Sequence, residues 1–271
     1  MDEGNARTMQ DRILGILSDA GLRQEVRADY VRTFQMLGLA EAQAALVSDD
    51  ILEKLSRADV ALSDTEREVF AGFRDTQTRS KYIGQTNIAE AFDDALKRRA
   101  RAFSGQIMVQ IDDLDAGGTV ANVSTHHEPL VQRGDKFAIT ETDDPDDLGG
   151  SFHAAVLNNV LHHETPERAA EILSGLSGKV TDRLVVVENT TLGATEDEQA
   201  RDTALQFMHE YLFHRLLQDP AAHDTALPGN YDTAEGWAER IEALGWRLTH
   251  RDSFALEPHH TVLVFEKDAP G

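Results

Sequence analysis

Two short runs carry much of the chemistry-bearing side chains. Residues 125–129 read THHEP and residues 161–166 read LHHETP, each setting two histidines before a glutamate. An imidazole with an ordinary pKa of about 6.5 takes a proton from a hydroxyl, an amine or an acidic carbon near neutral pH. His162 and His163 are therefore candidate general bases. Two imidazoles and a carboxylate also form a facial triad for Fe(II) or another divalent ion. His126, His127, Glu128, His162 and His163 are the candidate ligands, with Glu164 as an alternative carboxylate. His209 and His214 (HEYLFH) and the pair His259–His260 extend the set. A purely structural reading competes with both. Adjacent strand residues point to opposite faces, so at most one histidine of each pair faces a site. His209 and His214, five apart, lie too far round a helix to act as a tight ligand pair.

These residues need elements to position them. FHAAVLNNVL (152–161) is nearly continuous apolar sequence, as buried parallel strands are, and it ends in Asn158 and Asn159. RLVVVENT (183–190) is a second such run, ending in Glu188 and Asn189. Between them TPERAAEILSGLSG has helical spacing, so the three form a β-α-β unit with parallel strands. QIMVQID (106–112) and KFAITET (136–142) also read as strands. Residues 196–219 and 233–246 read as helices, and 247–254 with 259–267 as a closing pair of strands. Residues 6–76 read as helix throughout, with Gly21 as a C-cap, residues 48–50 capping the next helix, and Ser63 and Glu66 forming a capping box. An all-helical N-terminal region, residues 1–80, thus precedes an α/β domain, residues 81–271.

The whole chain bounds the function. Its 271 residues, 41% hydrophobic and 27% charged, suit a globular protein. Cysteine is absent, which excludes disulfides, thiolate catalysis and zinc–sulfur sites. A net charge of −22 argues against a nucleic-acid surface, because phosphate binding needs clustered cations. LKRRARAF (96–103) is the one locally basic run, and its default reading is a solvated helix face. No apolar run reaches membrane-spanning length, and the acidic start MDEGNARTMQDRIL has no signal-peptide core, so a cytoplasmic location is expected.

From residue 136 to 267 the sequence resembles the class I S-adenosylmethionine-dependent methyltransferases. FHAAVLNNVLHHETPERAAEILSGL is similar to their fourth strand and following helix, and DRLVVVENTT to their fifth strand. YDTAEGWAERIEALGWRLTHRDSF with HTVLVFEK resembles their terminal helix and β-hairpin. KFAITETDDPDDLGGSF resembles the third strand and the acidic turn that contacts adenine. The resemblance implies a Rossmann-like methyltransferase sheet with an antiparallel C-terminal edge, S-adenosylmethionine as cofactor and a small-molecule substrate. Methyl transfer from a sulfonium requires in-line positioning, desolvation and a base, the last falling to His162 or His163. The same resemblance assigns Asp143 and Asp144 to adenine, Asp112 or Asp113 to ribose and Asn158 to the cofactor. Asn159, Glu188, His209, Tyr211 and His214 fall on the substrate side. The helical N-terminal region becomes a cap or a homodimer interface.

The family's first strand ends in a Gly-x-Gly turn, and two segments compete for that place. KYIGQTNIAEAFDDAL offers Gly84 before a helix, with Asp112 then ending a second strand. IMVQIDDLDAGGTVANV offers Gly117 and Gly118 after Asp113 and Asp115, although DLDAGGTV also reads as a tight hairpin. Two further readings stay open: a metal-dependent enzyme on this scaffold using the His-His-Glu runs, and a catalytically silent binding module.

Overall fold

The computed structural model describes residues 3–74, 88–125, 129–132, 134–218, 227, 229–254 and 257–267. The chain divides into two compact units, Met1–Lys97 with Glu196–Leu227, and Arg98–Thr195 with Pro228–Gly271. The sequence places a single division near residue 80. Instead the helical unit recovers a late segment, and one helix passes from the first unit into the second.

The helical unit contains α1 (Glu3–Ser18), α2 (Ala20–Met36), α3 (Glu41–Leu55), α4 (Leu62–Arg74), the start of α5 (Ile88–Ile111), and α7 (Glu196–Tyr211). Leu212–Leu217 continue α7 as a π-helical turn. Gly21 does not end a helix: Asp19 breaks the chain first and caps α2 by accepting from the Leu22 N–H at 2.9 Å. At the far end of α2, Gly38 adopts φ 95°. The Gly38 N–H then reaches the Gln35 carbonyl and the Leu39 N–H the Phe34 carbonyl, a Schellman closure. Ser48 lies inside α3 and bonds back to the Ala44 carbonyl rather than capping anything. Ser63 and Glu66 do not frame a capping box, because α4 begins at Leu62 and Ser63 lies inside it; the Glu66 carboxylate accepts from the buried Tyr211 hydroxyl at 2.9 Å. Tyr30, also buried, donates to the Met208 carbonyl at 2.9 Å and ties α2 to α7.

The second unit is built on a sheet in the order β2-β1-β3-β4-β7-β6. Its strands are β1 (Thr119–Ser124), β2 (Ala138–Thr142), β3 (Phe152–Asn158), β4 (Val180–Thr191), β6 (Trp246–Phe254) and β7 (Glu257–Lys267). A two-residue strand, β5 (Asp232–Thr233), pairs with the end of β4. Strands β1 to β4 run parallel, whereas β7 is antiparallel to both β4 and β6. The expected parallel sheet with an antiparallel C-terminal edge, preceded by a helical region, is therefore the one observed. Helices α6 (Pro166–Lys179) and α8 (Ala234–Glu242) cover one face. The last turns of α5 cover the other through Phe103, Ile107 and Ile111. Strict alternation assigns the strand residues: Ala155, Leu157, Val186 and Leu263 face α6 and α8, while Val156, Val185, Val187 and Val262 face α5.

Two expected elements differ. QIMVQID is the end of α5, not a strand, because Phe103, Ile107 and Ile111 recur every four residues and form one apolar helical stripe. The strand beside β3 is TVANVS, with Val120, Ala121 and Val123 fully buried. DLDAGGTV is accordingly the turn from α5 into β1 rather than a hairpin.

Candidate active site at the carboxyl ends of the parallel strands

In an open α/β sheet, ligands bind outside the carboxyl ends of the strands where the strand order reverses. Here β1 leads outward to β2 while β3 lies on its other side, so that point falls between Ser124 of β1 and its register partner Asn158 of β3. Both side chains are buried.

The corner after β3 is tightly determined. Asn159 has φ 56°, the one positive-φ residue other than glycine among the described residues. Asparagine tolerates this left-handed conformation better than most side chains. The bend directs the Asn159 N–H to the Val187 carbonyl at 2.9 Å. It also starts a short 3-10 turn, Leu161–His163, whose N-terminus meets the Glu188 carboxylate on β4. One oxygen accepts from the backbone N–H groups of Val160 (3.0 Å) and Leu161 (2.7 Å). The other accepts from the His162 N–H at 3.2 Å and lies 2.5 Å from His162 Nδ1. Glu188 and His162 are both fully buried. Four polar partners offset the cost of removing this carboxylate from water. Thr165 then caps α6 through the Arg168 N–H, with Pro166 at its first position.

Glu188 also selects the tautomer of His162. With Nδ1–H donating to the carboxylate, Nε2 carries the lone pair, and the Asn189 amide approaches it at only 3.5 Å. Tyr231 stacks on the imidazole at a centroid distance of 5.8 Å, and the tilted His163 ring lies 4.2 Å from it. Asn230 clamps the turn: its amide donates to the Leu161 carbonyl at 3.2 Å and its N–H to the His162 carbonyl at 3.4 Å. A buried imidazole with an oriented lone pair and a carboxylate behind it is the arrangement of a general base.

The site residues expected from the sequence separate into groups. Asp143, Asp144, Asn158, Asn159, His162, His163 and Glu188 share the carboxyl edge of the sheet. Asp144 uses its carboxylate on the Asp146 N–H. Asp112, Asp113, Gly117 and Gly118 lie at the opposite edge, between α5 and the start of β1, which corrects their assignment to a cofactor loop. There Asp112 pairs with Lys136, and Asp113 pairs with Arg183, whose guanidinium holds that carboxyl below its ordinary range. Gly84, His126, His127 and Glu128 lie outside the described residues.

His209, Tyr211 and His214 belong to the helical unit, each engaged within it. His209 Nδ1 meets Asp29 at 2.8 Å, Tyr211 donates to Glu66, and His214 Nε2 lies 2.7 Å from Glu210. Burial pushes the Tyr211 hydroxyl well above its ordinary pKa, and burial raises Glu66 as well.

The glycine turn expected after the first strand is absent: no glycine occurs between Thr119 and Gly134. Nor does a helix follow β1 among the described residues of 125–137. Instead Leu130 packs under the α5 face, its N–H bonded to Glu141 at 3.0 Å, and the Val131 N–H reaches Ser104 at 2.6 Å. Glu141 also accepts from Asn122 at 2.5 Å. Asn122, Asn230 and Tyr231 were not signalled by the sequence. Their strand or loop had to be placed before a polar role was visible.

No protein-family model matches the sequence, and no curated protein matches it. Among solved structures, the fold is similar to an O-methyltransferase family 2 protein from Planctomyces limnophilus in complex with apigenin. The identity is 14% over 84% of this chain and 70% of that one, with a TM-score of 0.39. It is similar to an O-methyltransferase family protein from Burkholderia thailandensis at 15% identity over 84% and 74%, TM-score 0.42. It is also similar to N,N-8-amino-8-demethyl-D-riboflavin dimethyltransferase from Streptomyces davawensis, at 13% identity over 84% and 71%, TM-score 0.45. At these identities and TM-scores no residue role passes from those proteins to this chain.

Proposed function

We propose that this chain is a small-molecule methyltransferase that uses S-adenosylmethionine, with His162 as its general base and Glu188 as the residue that orients it. The observation carrying this reading is the buried His162–Glu188 pair at the carboxyl edge of a parallel sheet whose last strand, β7, is inserted antiparallel beside β4.

The residues at the strand-order reversal suit a polar cofactor. Asn159 Oδ1 is buried without a hydrogen-bond partner among the described residues, a deficit that a bound donor would relieve. Asn158 and Ser124 lie beside it, and Asp143 and Asp144 stand at the end of β2. With no glycine after β1, holding the methionine end falls to these side chains rather than to closely approaching backbone. When bound, S-adenosylmethionine supplies an electrophilic methyl carbon.

His162 Nε2 accepts the proton of the attacking hydroxyl or amine, and Glu188 stabilises the imidazolium that results. Tyr231 and the buried surroundings exclude water from that proton transfer. The net charge of −22 favours a metabolite over nucleic acid.

Calorimetric titration with S-adenosylhomocysteine tests the cofactor half of the proposal. Binding in the micromolar range, weakened in Asn159→Ala, is the expected result. Absence of binding would leave the fold as a binding module without methyl transfer.

A further inference from the structure

The basic run LKRRARAF spans the point where α5 passes into the sheet unit. From there Phe103, Ile107 and Ile111 turn onto the sheet. A rotation of about 100° per residue then carries Arg98, Arg101, Ala102, Gly105 and Val109 to the other side of the helix. All five are exposed, Val109 by 71%. Asp112, one residue past the helix, lies on the same line and is exposed as well. Val131 flanks this face at 62% exposure, its N–H fastened to Ser104 of α5 at 2.6 Å.

Nothing inside the chain calls for glycine at position 105. A methyl group added there would meet no other atom within 4 Å, and the backbone is ordinary helix. Glycine in mid-helix is destabilising relative to alanine, and packing within the chain does not explain it here. What glycine does permit is the close approach of another backbone. The charges on the same face are ordered about that point. Arg98 and Asp112 lie seven residues to either side of Gly105, about 10 Å along the axis in each direction. Arg98 and Arg101 have no ion-pair partner among the described residues. The Asp112 side chain is 76% exposed even beside Lys136.

We propose that this face of α5, from Arg98 to Asp112, is a docking surface for a second copy of the chain, packed antiparallel about Gly105. A two-fold axis through Gly105 sets Arg98 opposite Asp112 of the partner subunit, and the reverse pair follows by symmetry. Gly105 and Ala102 let the two helices approach, and Val109 and Val131 lose their exposure to water. Elsewhere a chain of net charge −22 repels its own copies; the basic run is where that repulsion changes sign. A copy fits better than another acidic partner because cations and carboxylate are placed evenly about one point. One helix face is a small interface, so reversible association in the micromolar range is expected. The contact is independent of methyl transfer.

Sedimentation equilibrium of the full chain over a micromolar concentration series is the test, with a monomer–dimer equilibrium as the expected result. Arg98→Asp and Asp112→Lys should each raise the dissociation constant about tenfold or more, because each sets like charges opposite one another. An equimolar mixture of the two variants should recover the wild-type constant, since every altered charge then faces its complement. Gly105→Leu should abolish association while leaving the melting temperature of the dilute protein unchanged or higher. Monomer at every concentration, a dimer unaffected by Gly105→Leu, or a mixture no tighter than either variant alone would overturn the proposal. The wild-type equilibrium and Gly105→Leu keep the test decisive if Asp112→Lys, which also loses its contact with Lys136, is unstable.

Discussion

At the scale of single residues, Glu188 holds the corner after β3 together and fixes the proton on His162. Glu188→Ala leaves three backbone N–H groups and an imidazole N–H buried without their acceptor. The expected loss of stability is about 3 kcal/mol or more in urea unfolding, and a loss under about 1 kcal/mol would mean that the turn finds other acceptors. Asn159 makes a conformational rather than a chemical demand on the fold. At φ 56°, Asn159→Gly should be nearly neutral, whereas Asn159→Ala should cost about 1 kcal/mol in the same measurement. Once a substrate is in hand, His162→Ala should lower kcat by about a hundredfold or more with little change in KM, the pattern of a lost base.

Among elements, the join of α2 to α7 has its own pH signature. Burial acts to raise the Asp29 carboxyl, but His209 and Arg32 together outweigh it and hold its pKa below the ordinary value. A depressed carboxyl stabilises the fold above its unfolded pKa, near 4, and that contribution is lost as the pH falls through the lower folded value. Melting temperatures followed from pH 6 to pH 2 should therefore fall, and Asp29→Asn should flatten part of that fall. An unchanged acid limb in the variant would remove Asp29 from the account. Glu66 in the same unit carries the opposite sign: burial raises its carboxyl although the Tyr211 hydrogen bond pulls it down, so its net contribution to stability weakens as the pH rises through its folded pKa.

At the scale of the whole molecule, 48 acidic side chains stand against 26 lysines and arginines. Many of the ion pairs are exposed, such as Arg27–Asp49 and Arg67–Asp64, and pairs of that kind add little stability in water. Net self-repulsion destabilises the compact state, and salt screens it over a length of about 10 Å at 0.1 M. Adding sodium chloride from 0.05 to 1 M is expected to raise the melting temperature by several degrees, more than an osmotically matched sucrose control. An equal rise in both would assign the effect to solvent exclusion rather than to charge.

Much of this architecture was legible in the sequence wherever one residue pattern admits one structure. The buried runs ending in Asn158–Asn159 and Glu188–Asn189, the helix between them and the antiparallel closing pair follow from apolar periodicity and turn residues. The same pattern placed His162 at a strand end. Where two periods fit one apolar run, the strand reading of the sequence failed: QIMVQID is helix because its four-residue stripe packs on Val156, Val185 and Val262. The loss of the glycine turn became visible when pairing put TVANVS beside β3, since register is a property of two strands and of neither alone. For the same reason, only the folded sheet brings Glu188 to His162, across a separation of 26 residues. The sequence by itself determined which side chains were available for chemistry. Tertiary structure decided which of them meet, because hydrogen bonds and charges act over a few ångströms that chain order does not encode.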